Sequence, residues 1–513
     1  MSAPGPGDGF VAGRETFESV VGFLDGAEAA GMEHAELEAE LDTRGRELMR
    51  RLLQDHLDLR AGREERIDAV ADTEGVLRSR AESGHTRALT SVFGEVTVTR
   101  RAYRAPDRAN LHPADAALNL PAEKHSHGLR RLAAIEAARG SFDTAVDAID
   151  RATGVRLGKR QAEALATAAA ADFDAFYAQR RPPPATGAPH AEDRDLGAGE
   201  PDVEALVLSY DGKGVVMRPD ALRPATATAA AEATTKLAGR LSKGEKRNRK
   251  RMATVGAVYH AACAPRTPGD IMADPDDRQP TPGPVTTDKW LTASVTADAA
   301  TVIAAVFDEA QRRDPDQRHT WIVLVDGNNH QIERTHAEAD ARGLDVAIVV
   351  DLVHVLEYLW SAAWAFFAEG DPAAEQWVRE RALAVLDGNA RTVAAGIRRR
   401  ATTAGLRAGK RRNADTAAAY LIAKAPYLDY PTALNQGWPI ATGVIEGACR
   451  HLVKDRMDIT GARWGLGGAE AVLKLRALHC NNDFDDYWRY HLTQERRRVH
   501  QNRYHNGEIP TAA

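Results

Sequence analysis

The stretch Ala205-Leu-Val-Leu-Ser-Tyr-Asp211-Gly-Lys-Gly-Val-Val-Met217 decides how the rest of the chain is read. From Ala205 to Tyr210 every residue but Ser209 is apolar or aromatic, and the run is too short for a helix of its own. Such a run reads as a strand buried on both faces. It ends on a carboxylate. Gly212 and Gly214 let the backbone turn tightly, so Val215-Val-Met217 reads as a second strand after a hairpin-like turn. An Asp at the end of a buried strand is costly unless something cationic meets it. Taken alone, the segment serves equally well as a turn-forming Asp-Gly.

The same theme returns at Thr320-Trp-Ile-Val-Leu-Val-Asp326-Gly-Asn-Asn, a buried strand with a terminal Asp followed by Gly. Met252 to Ala262 reads as a third strand, and Ala347-Ile-Val-Val-Asp351 as another that runs into a helix beginning Leu352-Val-His354. Asp351 is expected to cap that helix, with His354 on its first turn. A helix is expected near 298–312. Strand, helix, strand in this order means parallel pairing, whereas the early strands, joined by short turns, pair antiparallel. The expectation is an α/β fold, a mixed sheet with helices on both faces. Later, Thr442 to Met457 reads as a helix with Ile445, Cys449 and Leu452 on an apolar stripe. Glu446, Arg450 and Lys454 stand four apart on another face.

The totals fit an ordinary globular chain: 513 residues, 43% hydrophobic, 27% charged, formal net charge -6. No global positive excess points to nucleic acid, but the basic residues are clustered, and local patches matter more for phosphate binding. Lys236 to Arg251 holds eight Lys or Arg, including Arg247, Arg249 and Lys250, against the single acid Glu245. Gly396 to Arg412 holds seven and no acid, within a helical stretch over 372–435. Three cysteines, Cys263, Cys449 and Cys480, make neither a disulfide framework nor a zinc-finger spacing. No basic-then-apolar leader and no membrane-length apolar run is visible, so a reducing cytoplasm is the expected home.

Residues 1–13 are Gly/Pro-rich and expected to be disordered. Residues 14–83 read as amphipathic helices that pack on one another or on a partner subunit, with Leu48, Leu52, Leu53 and Leu57 near helical spacing. Residues 88–104 read as a hairpin turning near Gly94. His112, His125 and His127 read as solvated loop histidines. Residues 128–178 are helical, and Ser141 to Gln161 has the form of a helix-turn-helix, with Ser141 as N-cap and Lys159 and Arg160 opening the second helix, where groove contacts are made. Any αα-hairpin has the same pattern. The Pro- and Gly-rich stretch 179–202 reads as a linker.

Asp211, Asp326 and Glu446 thus fall on two strands and a late helix. If the strands are neighbours, their carboxylates converge, and a helix packed on the sheet can bring Glu446 to the same point. Clustered carboxylates repel, and a divalent ion removes that objection. Mg²⁺ prefers hard oxygen ligands from a few carboxylates plus substrate phosphate. Asp455, Asp458 and Glu470 compete with Glu446 for the third place.

These residues resemble a bacterial insertion-sequence transposase of the ISKra type. The matching pieces are Phe93-Gly-Glu-Val-Thr-Val-Thr-Arg-Arg-Ala-Tyr103, the Ser141-Phe helix-turn-helix, Tyr210-Asp-Gly-Lys213, Val325-Asp-Gly-Asn-Asn-His330, Gly443-Val-Ile-Glu-Gly447, and Arg463-Trp464 with Leu473-Lys-Leu-Arg476. Asp351-x-x-His354 resembles a signature of the related Mutator-like transposases, which makes these two accessory candidates. No cysteine pair follows the Arg-x-x-Tyr stretch, so a zinc knuckle there is not expected.

The resemblance implies an RNase H-like catalytic domain of the Asp-Asp-Glu class with an all-helical insertion at about 356–438. It implies a triad of Asp211, Asp326 and Glu446 holding Mg²⁺ or Mn²⁺, two ions in all, and DNA cleavage followed by strand transfer. Lys213, Arg450 and Lys454 would meet phosphates beside the triad. The expected order is a helical oligomerisation region (1–87), a hairpin and helix-turn-helix DNA-binding region (88–178), the linker (179–202), the catalytic domain (203–490) and a basic tail (491–513). The expected partner is double-stranded DNA, as element ends and target, bound by a homodimer or larger assembly at the bacterial nucleoid. Two other readings keep the fold: an RNase H-like nuclease without strand transfer, and a catalytically silent DNA-binding regulator.

Overall fold

The computed structural model describes residues 8–180, 203–232, 249–273, 281–459 and 461–511. The chain divides into two compact units, Met1–Phe176 with Asn482–Ala513, and Tyr177–Asn481. The segment from Asn482 onward thus belongs with the N-terminal unit, not with a catalytic unit running to residue 490. The linker stretch 181–202 lies outside the described residues, as does 236–248 of the first basic block, Arg247 included.

In the first unit the helices Val11–Leu24 and His34–Gly62 pack on each other. The Gly13 N–H donates to the buried Asp55 carboxylate at 2.7 Å. The leucine stripe is used within the chain: Leu57, with Leu53 beside it, packs against Leu89, Val96, Val98 and Leu120. These belong to the hairpin of β1 (Arg80–Ser91) and β2 (Gly94–Arg104) and the loop after it. Strand β1 begins inside the stretch expected to be helical, because its paired length reaches back to Arg80, opposite Arg104. Gly94 turns the hairpin with φ +114°, a conformation open to glycine and strained for other residues.

The three loop histidines are not solvated. His125 is buried; the His112 and His127 rings bond to the Arg101 and Asn119 carbonyls at 3.0 and 2.8 Å. Burial drives His127 down to about 4. His112 and His127 thereby each engage a backbone carbonyl, as part-buried polar groups are expected to do.

Helices His127–Arg139, Phe142–Thr153 and Lys159–Ala169 pack together around Leu129, Ile149, Val155, Leu157 and Leu165. Ser141 caps the middle one, accepting from the Thr144 N–H at 3.1 Å, and Gly154 ends it in the left-handed region. The basic tail is folded: the helix Phe484–Val499 directs Arg498 onto Asp172 at 2.6 and 2.8 Å and Glu495 onto Arg130 at 2.9 Å.

The second unit is built on a five-stranded mixed sheet in the order β5-β4-β3-β6-β7. Its strands are β3 (Glu204–Val216), β4 (Lys250–Ala262), β5 (Val285–Ser294), β6 (Thr320–Val325) and β7 (Ala347–Val350). β3, β4 and β5 are antiparallel; β6 and β7 run parallel to β3. Two expectations are corrected. β3 does not turn at Gly212-Lys-Gly214: it runs straight through to Val216, because β4 pairs with it along its whole length. β5 was not foreseen, its alternation being masked by Thr286, Thr287, Asp288 and Lys289.

β3 is central, and Ala205, Leu206, Val207 and Leu208 are fully buried. Each such Leu or Val stabilises the fold by roughly 1.5–3 kcal/mol. The helices Ala299–Arg313 and Asn329–Arg342 cover one face. A Cβ at Gly256 would stand 2.4 Å from Val306, so glycine there lets the first of them approach. Tyr210 reaches Thr335 of the second. The opposite face takes the segment carrying Glu446. A set of helices from Leu352–Ala363 to Tyr430–Asn435 follows β7. In it Arg400, one cation of the second basic block, lies over the rings of Phe366 and Phe367 at 4.8 and 4.6 Å.

Candidate functional site

In the parallel part of the sheet Ser209 stands level with Leu324, and Val325 with Val350. Neighbouring strands lie about 4.8 Å apart. Asp211 lies within β3, and Asp326 and Asp351 directly follow β6 and β7, at the end where those two parallel strands finish, the edge at which open α/β sheets bind ligands.

Asp211 and Asp326 are half-buried, Asp351 fully buried and Glu446 exposed. Asp211 Oδ1 accepts the N–H of Gly212 at 2.6 Å, and its Oδ2 takes the thiol of Cys449 at 3.4 Å. Cys449 follows the helix Gly443–Ala448, which packs on β3 and β4. Burial raises its pKa first, and the negative charges of Asp211 and Glu446 add to this while Lys213 opposes them. Asp211, Lys213, Glu446 and Cys449 are thus electrostatic neighbours. From Cys449 to Lys454 the segment is π-helical, so Arg450 and Lys454 do not stack below Glu446 as a regular four-residue spacing would have it. Both are exposed.

Asp326 sits in a tight cradle. Its Oδ1 accepts the Asn328 N–H at 2.8 Å and its carbonyl accepts from the Tyr420 hydroxyl at 3.1 Å. Gly327 has φ +88°, and a Cβ there would stand 2.6 Å from that hydroxyl. Lys424, whose ammonium reaches Asn329, feels the Asp326 charge, although burial leaves its pKa lowered.

Both carboxylate oxygens of Asp351 are engaged in hydrogen bonds. Its Oδ1 accepts the N–H groups of Val353 at 3.1 Å and Thr442 at 3.3 Å; its Oδ2 accepts from His354 at 2.8 Å and the Thr442 hydroxyl at 2.8 Å. Against burial, the bonds from His354, the Thr442 hydroxyl and the Val353 N–H, with the His354 charge, hold its pKa low. The hydrogen bond to Asp351 raises His354 to about 9, with Asp326 and Glu357 contributing, so the ring is an imidazolium at neutral pH. The helix cap expected of Asp351 is present. The same carboxylate also fastens Thr442, immediately before the Glu446 helix.

Among the described residues, the carboxylates of Asp211, Asp326 and Glu446 are not gathered to within 4.8 Å of one another. Like charges keep apart in the absence of a cation between them. Of the competitors for Glu446, Glu470 is committed elsewhere: it accepts from Ser294 and from the N–H groups of Val295 and Thr296 at 2.8, 2.8 and 3.1 Å. Asp455 takes His451 at 3.2 Å. A different group is close-set. Glu204, His260 and His319, whose ligating atoms lie within 4.8 Å of one another, could hold a metal ion. No motif spacing announces them; only the pairing of β4, β3 and β6 brings them together.

The candidate DNA contacts are spread over both units. Lys159 and Arg160 open the helix Lys159–Ala169 and are exposed, but Lys159 is paired with Asp143. Arg249 and Lys250 lie where β4 begins, opposite the end of β3, at the sheet end that carries Asp211. Comparison of the chain with models of known protein families matched none, and comparison with curated proteins found no match.

Proposed function

We propose that this chain is a DNA transposase with an RNase H-like catalytic unit, cutting and joining DNA by metal-dependent phosphoryl transfer. The observation that carries the reading is the parallel pairing of β3 with β6, which puts Asp211 two residues past the last pair on β3 and Asp326 directly after β6, with the Glu446 helix packed over β3 and β4. The strand order, with β3 central between an antiparallel and a parallel pair, agrees with the RNase H-like sheet that the sequence resemblance implies.

Asp211, Asp326 and Glu446 are the residues that would hold Mg²⁺ or Mn²⁺, two ions in this reading. Their hard oxygens at a half-exposed sheet end suit such ions. The bound metal supplies activation of an attacking oxygen and stabilisation of a leaving one. The chain's own groups do the rest. Asp351 and Thr442 hold the Glu446 helix against the end of β7. Protonated His354 places positive charge beside Asp326 and limits its repulsion from Asp211. Lys213, Arg249, Lys250, Arg450 and Lys454 offer cations to phosphates at the same end. The helices over residues 127–169 would read the element ends, through Arg160 before Lys159. Two ends must be cut, so the working form is a dimer or larger, acting in the bacterial cytoplasm.

Asp211→Ala and Asp326→Ala should each abolish Mg²⁺- or Mn²⁺-dependent strand cleavage while leaving DNA affinity intact; cleavage that persists rejects the site. With pre-cut ends and a supercoiled target, joined products mark a transposase and hydrolysis alone a nuclease. The Cys449 thiol on Asp211 favours a second reading, a silent DNA-binding regulator. Wild-type protein that binds element ends but neither cuts nor joins would establish it.

A further inference from the structure

We propose that Glu204, His260 and His319 form a site for one divalent transition-metal ion of the zinc class, clamping β4, β3 and β6 together at the sheet end remote from Asp211. Three strands deliver the three residues. Glu204 opens β3; His260 lies near the end of β4, opposite Leu206; His319 immediately precedes β6, whose Thr320 stands level with Ala205. Seven residues of extended β3 separate Glu204 from Asp211, about 23 Å at the rise of a strand. The site is therefore independent of Asp211.

The spacings are those of ligands around an ion, not of partners in a hydrogen bond. Glu204 Oε2 lies 3.7 Å from His260 Nδ1 and 3.8 Å from His319 Nε2. Hydrogen bonds between such atoms fall near 2.7–3.2 Å. Ligands about 2.0–2.2 Å from a tetrahedral zinc stand about 3.4 Å from one another, a few tenths of an ångström less than the two distances from Glu204. The two rings meet edge to face, with centroids 5.4 Å apart, so their nitrogens converge on the carboxylate without stacking. His260 Nδ1 is buried and has no hydrogen-bond partner among the described residues.

On the far side of His319, Nδ1 lies 3.3 Å from Asp314 Oδ2 without a hydrogen bond, and Nε2 faces Glu204. Asp314 is itself buried and held by the N–H groups of Arg318 and His319 and by the Trp321 indole, at 2.8, 2.9 and 3.0 Å. Two imidazoles and one carboxylate select zinc, cobalt, nickel or copper over Mg²⁺, which takes oxygen ligands. Three protein ligands leave a fourth position for water.

The test uses the full chain, stripped with chelator and titrated with Zn²⁺ in excess Mg²⁺. Wild type should take up one tight equivalent and melt at a higher temperature. His260→Gln and His319→Gln should each lose that equivalent and the thermal response, Glu204→Gln should weaken binding at least tenfold, and His34→Gln should behave as wild type. Equal Zn²⁺ uptake and equal melting in wild type and the folded histidine variants would overturn the site. If those variants do not fold, Co²⁺ added to wild type decides. The strong visible bands of a four-coordinate ion uphold the proposal, and the pale spectrum of a six-coordinate ion defeats it.

Discussion

Thr442 donates its hydroxyl to one oxygen of Asp351 at 2.8 Å and its N–H to the other at 3.3 Å. The end of β7 is thereby tied to the start of the Glu446 helix, across a long helical segment of chain. A second tie runs beside it, the Leu352 N–H to the Ile440 carbonyl at 2.9 Å. Thr442→Val leaves a buried carboxylate oxygen short of one donor and should cost about 1–3 kcal/mol by urea unfolding. Asp351→Ala strands His354 and Thr442 together and should cost more. If the tie positions Glu446, Thr442→Val also lowers the cleavage rate while DNA affinity stays as in wild type.

Gly327 follows Asp326 with φ +88° and no room for a side chain beneath Tyr420. Gly327→Ala should destabilise the fold by about 1–3 kcal/mol. Adding Tyr420→Phe removes the hydroxyl that a Cβ would strike but not the backbone strain. Only part of the loss should then return in thermal melts of the double variant.

The pH dependence of stability has a definite sign. Folding raises His354 to about 9; an unfolded imidazole titrates near ~6.5. The folded state binds the proton more tightly, so this stabilisation is complete below about 6.5 and is lost as pH rises through about 9. The difference in melting temperature between wild type and His354→Gln should be largest near pH 6 and small near pH 10. A difference that grows with pH would show that the Asp351–His354 contact is not an ion pair.

Asp211 and Asp326 are the half-buried carboxylates that would hold the metal in the proposed reading. Mg²⁺ or Mn²⁺ should raise the melting temperature of the wild type, by ~2.7 kcal/mol of stabilisation at a hundredfold excess over the dissociation constant. Asp211→Asn and Asp326→Asn should each lose most of that response. Zn²⁺ uptake at Glu204, His260 and His319 should be unaffected in both.

Arg160 is exposed at the opening of its helix, whereas Lys159 is held by Asp143. Arg160→Ala should lower affinity for element ends and reduce the salt slope by about 0.9, the value of one phosphate contact. Lys159→Ala should change the slope less. Equal slopes in wild type and Arg160→Ala would remove this helix from the DNA interface.

Much of the second unit was legible from local pattern. The runs at 205–210, 320–325 and 347–350 are apolar enough to be strands buried on both faces, and their helical neighbours fix which pairs are parallel. Asp211, Asp326, Asp351 and Glu446 could be singled out because each carboxylate follows or punctuates an apolar run. β5 was missed because its polar residues at 286–289 hide the period of a strand. The straight course of β3 through Gly212-Lys-Gly214 was missed because only the pairing with β4 overrides the glycines' preference to turn.

What the sequence by itself determined is the alphabet of the site: which acids end strands, which cations cluster, and where helices begin. The tertiary structure alone decided the order and pairing of β3, β6 and β7, which carry Asp211 and lead into Asp326 and Asp351. It also decided the use of Asp351 as a clamp on Thr442 and the meeting of Glu204, His260 and His319 across three strands. The reason is physical. Periodicity reports how one segment meets its own two faces, whereas which residue stands level with which is a property of two strands at once, and no single stretch of chain contains it.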